Sequence, residues 1–354
     1  MDSNSFFKEK LASLIFVEIN SQKVYEIFHI DPKEQLFIPV RPQSLAGNII
    51  DKGSSSSVPV SVFIEGMFYE LGGDENFKYS AVYKKILSNL NESIPYIKGI
   101  IYNNVVNKKY EDAYILLKGL SRIEESKENY SMLLELGEKL RTTSSFFRDE
   151  EMDMIEKAKR IPKYPAPYLY EALIKKDDKD FEGSLFSVNT YLQSGGDETQ
   201  EVTQLKVSLK NIVDYERGKE LVCTDPDTAL KYLIPLLDQF GDDPSLYYYI
   251  AVGYRTLGNH EKAIYYLNEA LGIDNGFVDV INELGINYAC LGNYETAVSY
   301  LRKAFEATRS VEICTNLIMC YLNMGNIEMA ENHMKIAKKL APEDEVVLKL
   351  EKLF

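Results

Sequence analysis

The chain has 354 residues, with 40 Lys and Arg against 54 Asp and Glu, a formal net charge of −14 and a pI near 4.9. That sign argues against nucleic-acid binding, which draws its affinity from cations neutralising phosphates, and against adhesion to anionic membrane surfaces. Hydrophobic residues at 45% and charged residues at 27% are ordinary for a soluble globular protein.

In chain order, the apolar run Leu14 to Val17 is cut short by Glu18, too short for a signal core or a membrane span. A cytoplasmic location is therefore expected. Val24 to Ile30 and Gln35 to Val40 read as two β-rich runs about the turn Asp31 to Glu34, a β-hairpin. Phe6 to Ile19 suits either a helix or a preceding strand. Pro39 and Pro42 put the second run at an edge or end it, and Gly53 to Ser57 looks like a linker or surface loop. Residues 1–57 are thus expected to form a small N-terminal module.

Helical hairpins are expected from residue 58 to 243. One spans Val60 to Leu90, with Gly66, Tyr69, Gly73 and Ala81 in place. Asn107 to Ala113 forms a turn preceded by Ile97, Ile100 and Ile101. Asn129 to Ile161 supplies two more helices, the second around Asp149 to Lys159. Pro165 to Gln193 forms a further pair, with Tyr168, Ala172, Phe181, Ser184 and Val188 in the key slots. Pro235 is positioned to kink the helix that follows Ala229.

From residue 244 to 354 the pattern is regular. Ala229, Ala263, Ala297 and Ala330 recur at intervals of 34, 34 and 33 residues between apolar helical faces, the period of a stacked repeat protein. Gly258, Gly292 and Gly325 end helices where positive φ is needed. Each helix of about 13 residues would be marginal alone, so stability must come from neighbours. The first clear copy carries Tyr247, Ile250, Ala251, Tyr254, Gly258, His260, Ala263, Leu267 and Ala270. The second carries Ile281, Leu284, Gly285, Tyr288, Gly292, Tyr294, Ala297, Leu301 and Ala304. The third carries Cys314, Leu317, Ile318, Tyr321, Gly325, Ile327, Ala330, Met334, Ala337 and Pro342.

These residues resemble the tetratricopeptide repeat family, clearly over 244–342 and more weakly over 60–243. The resemblance implies a mainly α fold, a right-handed superhelix of helical hairpins, here preceded by the small β-containing module.

Signals for chemistry are few. Cys223, Cys290, Cys314 and Cys320 form no Cys-x-x-Cys pair. Nothing suggests a disulfide framework, and the three in repeat helices read as small hydrophobes. Of three histidines, His260 occupies an aromatic repeat slot, His333 is expected on a polar face, and His29 lies in a β-like run without a partner at ligand spacing. No Gly-x-Ser-x-Gly or phosphate loop occurs. The acidic pairs Glu124–Glu125, Asp177–Asp178 and Asp242–Asp243 read as solvated turns. The expectation is a protein without catalysis, cofactor or metal.

In the family that the repeats resemble, the first helix of each hairpin lines a concave groove. That places Tyr248, Tyr249, Val252 and Arg255, then Asn282, Glu283, Ile286, Ala289 and Cys290, then Asn316, Met319 and Asn323 on the inner wall. Arg255 is the only base there, against Asp279, Glu283 and Glu312, so capture of an acidic chaperone tail is disfavoured. Asparagine amides pair with an extended peptide backbone whatever its sequence, and tyrosines make rigid apolar anchors. The expectation is an interaction scaffold or adaptor holding a neutral to basic peptide or a partner's helix. The alternative is a bacterial peptide-sensing regulator using the same groove, although residues 1–60 show no DNA-binding helix-turn-helix pattern.

Overall fold

The computed structural model describes residues 3–30, 35–46 and 58–353, and its contacts divide the chain into two units, Met1–Lys206 and Val207–Phe354. The Asp31–Glu34 turn and the Gly53–Ser57 segment lie outside the described residues.

The first unit opens with α1 (Ser3–Ala12), β1 (Ile15–Ile19), α2 (Ser21–Phe28) and β2 (Leu36–Val40). The strands pair antiparallel, Ile15 opposite Val40 and Ile19 opposite Leu36. The expected strand over Val24 to Ile30 is instead the helix α2. Asn20 caps it, accepting a hydrogen bond from the Lys23 backbone N–H at 2.9 Å, and Val24 and Phe28 bury one face at a spacing of one turn. An Asn cap with that spacing outweighs the β-branched composition of a short apolar run. His29 is the left-handed residue that ends α2, at φ 56°, not a strand residue.

Next come α3 (Val60–Gly73), α4 (Ser80–Asn89), α5 (Ser93–Val106), α6 (Tyr110–Ser121), α7 (Lys127–Arg141), α8 (Phe147–Ala158), α9 (Ala166–Asp177) and α10 (Phe181–Gln193). The helices expected from sequence are present, but α3 and α4 are not a simple hairpin. The main partner of α3 is α6. Gly72 and Gly119 let the two backbones meet, since a Cβ on Gly72 would stand 2.7 Å from the Ile115 carbonyl carbon, and one on Gly119 would stand 2.9 Å from that of Phe68. No side chain fits there.

Residues from α1, β1, α2 and β2 share one apolar core with these helices, from Phe6, Val24 and Ile38 to Phe68, Tyr114 and Phe147. Arg41 pins the chain leaving β2. Its guanidinium lies 2.8 Å from Glu65 and 2.6 Å from Asp112, over the ring of Tyr69 at 4.2 Å. The α9–α10 pair packs as a hairpin. Ser184 is fully buried in the small-residue slot and donates to the Ala172 carbonyl at 2.7 Å.

Helix α11 (Gln200–Leu221) contains the division between units. The second unit continues with α12 (Pro226–Leu233), a 3-10 turn at Ile234–Leu236 around Pro235, and α13 (Leu237–Phe240). Three hairpins follow: α14 (Pro244–Thr256) with α15 (His260–Ile273), α16 (Val278–Cys290) with α17 (Tyr294–Thr308), and α18 (Val311–Asn323) with α19 (Ile327–Leu340). Helix α20 (Glu345–Glu351) packs on the last hairpin. Each helix packs against its sequence neighbour, and α14 touches α16 as α16 touches α18, which is the contact pattern of stacked hairpins.

One device joins each hairpin. Gly258, Gly292 and Gly325 adopt φ of 75°, 78° and 73°. The next residues, Asn259, Asn293 and Asn326, cap the second helix by accepting from the backbone N–H three positions on, at 3.1 to 3.3 Å. The small residues Ala263, Ala297 and Ala330 are fully buried. Ring pairs hold the two helices face to face: Tyr254 on Tyr266 at 5.5 Å and 7°, and Tyr288 on Tyr300 at 5.7 Å and 4°. In the third hairpin His333 takes the second ring's place beside Tyr321, at 5.1 Å, with its Nδ1 2.9 Å from the Met329 carbonyl oxygen. The polar face expected for His333 is thus corrected to a packed ring.

Candidate functional site

Helices α14, α16 and α18 carry the ten residues expected to line a groove, in different settings. At the upstream end Tyr248 packs on Phe277 (5.6 Å) and edge-on against Tyr249 (5.2 Å), while Tyr249 also meets Tyr215 of α11. Burial, with Glu283 and Asp279 nearby, pushes the Tyr248 hydroxyl up to about 12. Val252 is 5% exposed and packs with Val222 and Ala229. It belongs to the joint with the preceding hairpin and is not an accessible contact.

Arg255 and Glu283 form one unit, with Nε 2.8 Å from Oε2 across α14 and α16. Glu283 is 7% exposed. Burial raises its pKa, Arg255 opposes the shift, and Glu312 and Asp279 add to it. Those two acids are exposed, so the ion pair sits in a field with more carboxylate than base. Asn287, fully buried, ties the same region together. It donates to the Glu283 carbonyl at 2.8 Å, and its Oδ1 lies 3.0 Å from Nδ1 of His260. The aromatic slot of His260 therefore serves a polar contact. The neighbouring Asn282 has a buried Oδ1 without a hydrogen-bond partner among the described residues.

Downstream lies a cleft of about 260 Å³. It gathers the expected Ile286, Asn316, Met319 and Asn323, together with Ala289 and Cys290, which the repeat register also put on the inner wall. Three further lining residues, Tyr294, Leu301 and Cys320, come from outside that register. Tyr294 and Leu301 belong to α17, and a first-helix rule could not select them. Cys290 is exposed, unlike the packed thiol expected of it, whereas Cys314 and Cys320 are buried. Burial pushes the Cys320 thiol up to about 11, so it serves as apolar lining. Met319 is 43% exposed. The Asn323 amide donates back to the Met319 carbonyl at 2.8 Å, so of the cleft's two amides Asn316 is the freer to meet a ligand.

Two other expectations change. Asp177 and Asp178 hold Arg141 and Arg148 in ion pairs, and Asp243 caps α14, so these acidic pairs fix turns rather than merely solvating them. No described helix is long and apolar enough to cross a membrane.

The tetratricopeptide repeat family model matches residues 244–277 and 278–310. Among solved structures the chain is similar to MamA, at 17% identity over 49% of this chain and 90% of that one, with a TM-score of 0.38. It is similar to the tetratricopeptide protein TTC0263 of Thermus thermophilus, at 19% identity over 52% and 94%, with a TM-score of 0.32. For the Cut9–Hcn1 hetero-tetramer the values are 13%, 84% and 63%, with a TM-score of 0.39. No curated protein matches the sequence. The matched segments, with the ring pairs, buried alanines and Gly–Asn turns that continue through α18 and α19, identify residues 244–310 as tetratricopeptide repeats and show the same hairpin pattern in the pair that follows.

Proposed function

We propose that the second unit is a protein-interaction module whose α14–α16–α18 face holds an extended peptide or partner helix, presenting an apolar residue to the cleft and basic residues to the acids beside it. The observation that carries this reading is the cleft itself. Ile286 and Met319 offer apolar surface beside the Asn316 amide, the composition of a site that takes one side chain and pairs with its backbone. Asp279 and Glu312, with Arg255 already engaged by Glu283, favour a cationic flank. The scaffold role expected from sequence fits this face, since stacked hairpins offer surface along one axis.

A displayed peptide library tests it. The wild-type protein should enrich peptides that combine an apolar residue with Lys or Arg. Met319→Arg should remove the apolar preference, and Glu312→Lys with Asp279→Lys the basic one, all at unchanged melting temperature. Identical enrichment by all variants, or none by the wild type, would remove this face from consideration.

A further inference from the structure

In a chain with 54 acidic and 40 basic residues, a concavity walled mainly by cations calls for a physical account. The first unit contains one, a cavity of about 180 Å³ to which α4, α6 and α8 contribute Lys84, Lys118, Lys157 and, at the helix ends, Arg122 and Arg160. Only Glu75 and Glu125 supply carboxylates to its wall.

The five cations are not equally committed. Lys118, 7% exposed, is 2.6 Å from Glu150 and lies over the Phe7 ring, so its charge is answered from behind. Arg122 donates to the Leu71 carbonyl and reaches Glu75 at 3.3 Å. Lys157 is 2.9 Å from Asp153 and 3.4 Å from the same Glu75 oxygen. Among the described residues Lys84 and Arg160 form no ion pair, and both line the cavity beside Tyr130.

Glu75 is the informative residue. Its side chain is 55% exposed, it comes from the segment joining α3 and α4, and one oxygen is shared by Arg122 and Lys157. Both distances exceed the roughly 2.7–2.9 Å of tight charge-assisted hydrogen bonds. A loosely held surface carboxylate thus marks the point where two partly buried cations converge.

We propose that this cavity is a site for a small phosphate-bearing anion, whose phosphate replaces the Glu75 carboxylate between Arg122 and Lys157 and is flanked by Lys84, Arg160 and the Tyr130 hydroxyl. A phosphate suits these donors better than a carboxylate. It carries close to two charges at neutral pH and offers at least three acceptor oxygens, where Glu75 brings one charge and uses one oxygen. The volume admits inorganic phosphate, pyrophosphate or a compact phosphate ester.

The test is calorimetric titration of the full chain with pyrophosphate at constant ionic strength, with citrate as a multivalent carboxylate for comparison. One pyrophosphate should bind per chain, and more tightly than citrate. Lys84→Glu with Arg160→Glu, both at the solvent side, should weaken binding at least tenfold. Glu75→Gln should tighten it several-fold by removing the competing carboxylate, an effect that non-specific charge attraction to the rim would give equally to citrate. Absence of binding in both wild type and Glu75→Gln would overturn the proposal. So would equal affinity for citrate, or weaker binding by Glu75→Gln. Circular dichroism and melting of each variant confirm that a loss is not unfolding.

Discussion

Replacing Gly72 by alanine probes the α3–α6 crossing directly. The new methyl would stand 2.7 Å from the Ile115 carbonyl carbon and 3.1 Å from the Gly119 nitrogen. Both belong to the backbone, so no side chain can rotate away. Restoring ordinary contact requires the helices to move apart, across an interface where Phe68, Leu71, Ile115 and Leu116 are all fully buried. Overpacking a core costs about 1–3 kcal/mol when neighbours yield. Here they cannot, and a loss of about 4 kcal/mol is expected, a large part of a domain's total stability of roughly 5–15 kcal/mol. Gly99→Ala is the control. It lies within α5 with nothing among the described residues within 4 Å of its Cβ position, and should stabilise by about 0.5–1 kcal/mol through helix propensity. Urea unfolding followed by circular dichroism gives both values. Hydrogen exchange should show the Gly72→Ala loss in residues 60–121 while 244–340 keep their protection. Gly72→Ala combined with Gly119→Ala should cost less than the sum of the single changes, because the first has already parted the helices. A Gly72→Ala protein within about 1 kcal/mol of wild type would refute the crossing geometry.

Three further outcomes are expected. Gly292→Ala, at φ 78°, should cost about 1 kcal/mol, whereas Lys179→Gly, where φ is 64° without a glycine, should gain about 0.5 kcal/mol, the strain relief exceeding the added chain entropy; melting curves of both decide. Arg255→Ala leaves Glu283 buried without its counter-ion and should destabilise by about 2 kcal/mol, a loss mostly recovered in Arg255→Ala/Glu283→Gln, as a double-mutant cycle would show. Glu151 is fully buried, and burial, with Glu138 beside it and Arg141 opposing, pushes it up to about 8. A carboxyl raised in the folded state contributes stability that is complete below its unfolded pKa of roughly 4.3 and lost as pH rises towards 8. Unfolding free energy should therefore fall between pH 5 and 8, and Glu151→Gln should flatten that slope, measured by urea titration across the range.

The second unit was largely legible in the residues because its rules are local. A period of 34, a glycine where φ must be positive, and an alanine where two helices touch each leave a mark within one repeat, and Ala263, Ala297 and Ala330 are all fully buried as that mark implies. The Asn caps after Gly258, Gly292 and Gly325 were equally visible and sharpen the same turns. Less local features were not legible. The run from Val24 to Ile30 suits strand and helix alike, and only the Asn20 cap and the shared apolar core settle it. The register of first helices put Val252 on the inner wall, yet the preceding hairpin buries it, and Tyr294 and Leu301 reach the cleft from a helix which that register assigns to the other side.

The alanine, glycine and tyrosine spacing in the sequence determined by itself that hairpins would stack, because each hairpin's packing is decided by residues a few turns apart. Tertiary structure alone decided that Gly72 meets Ile115 and that Arg122 and Lys157 share Glu75. These contacts join residues whose separation follows no period, and their energies depend on burial and distance, which exist only once the chain is packed.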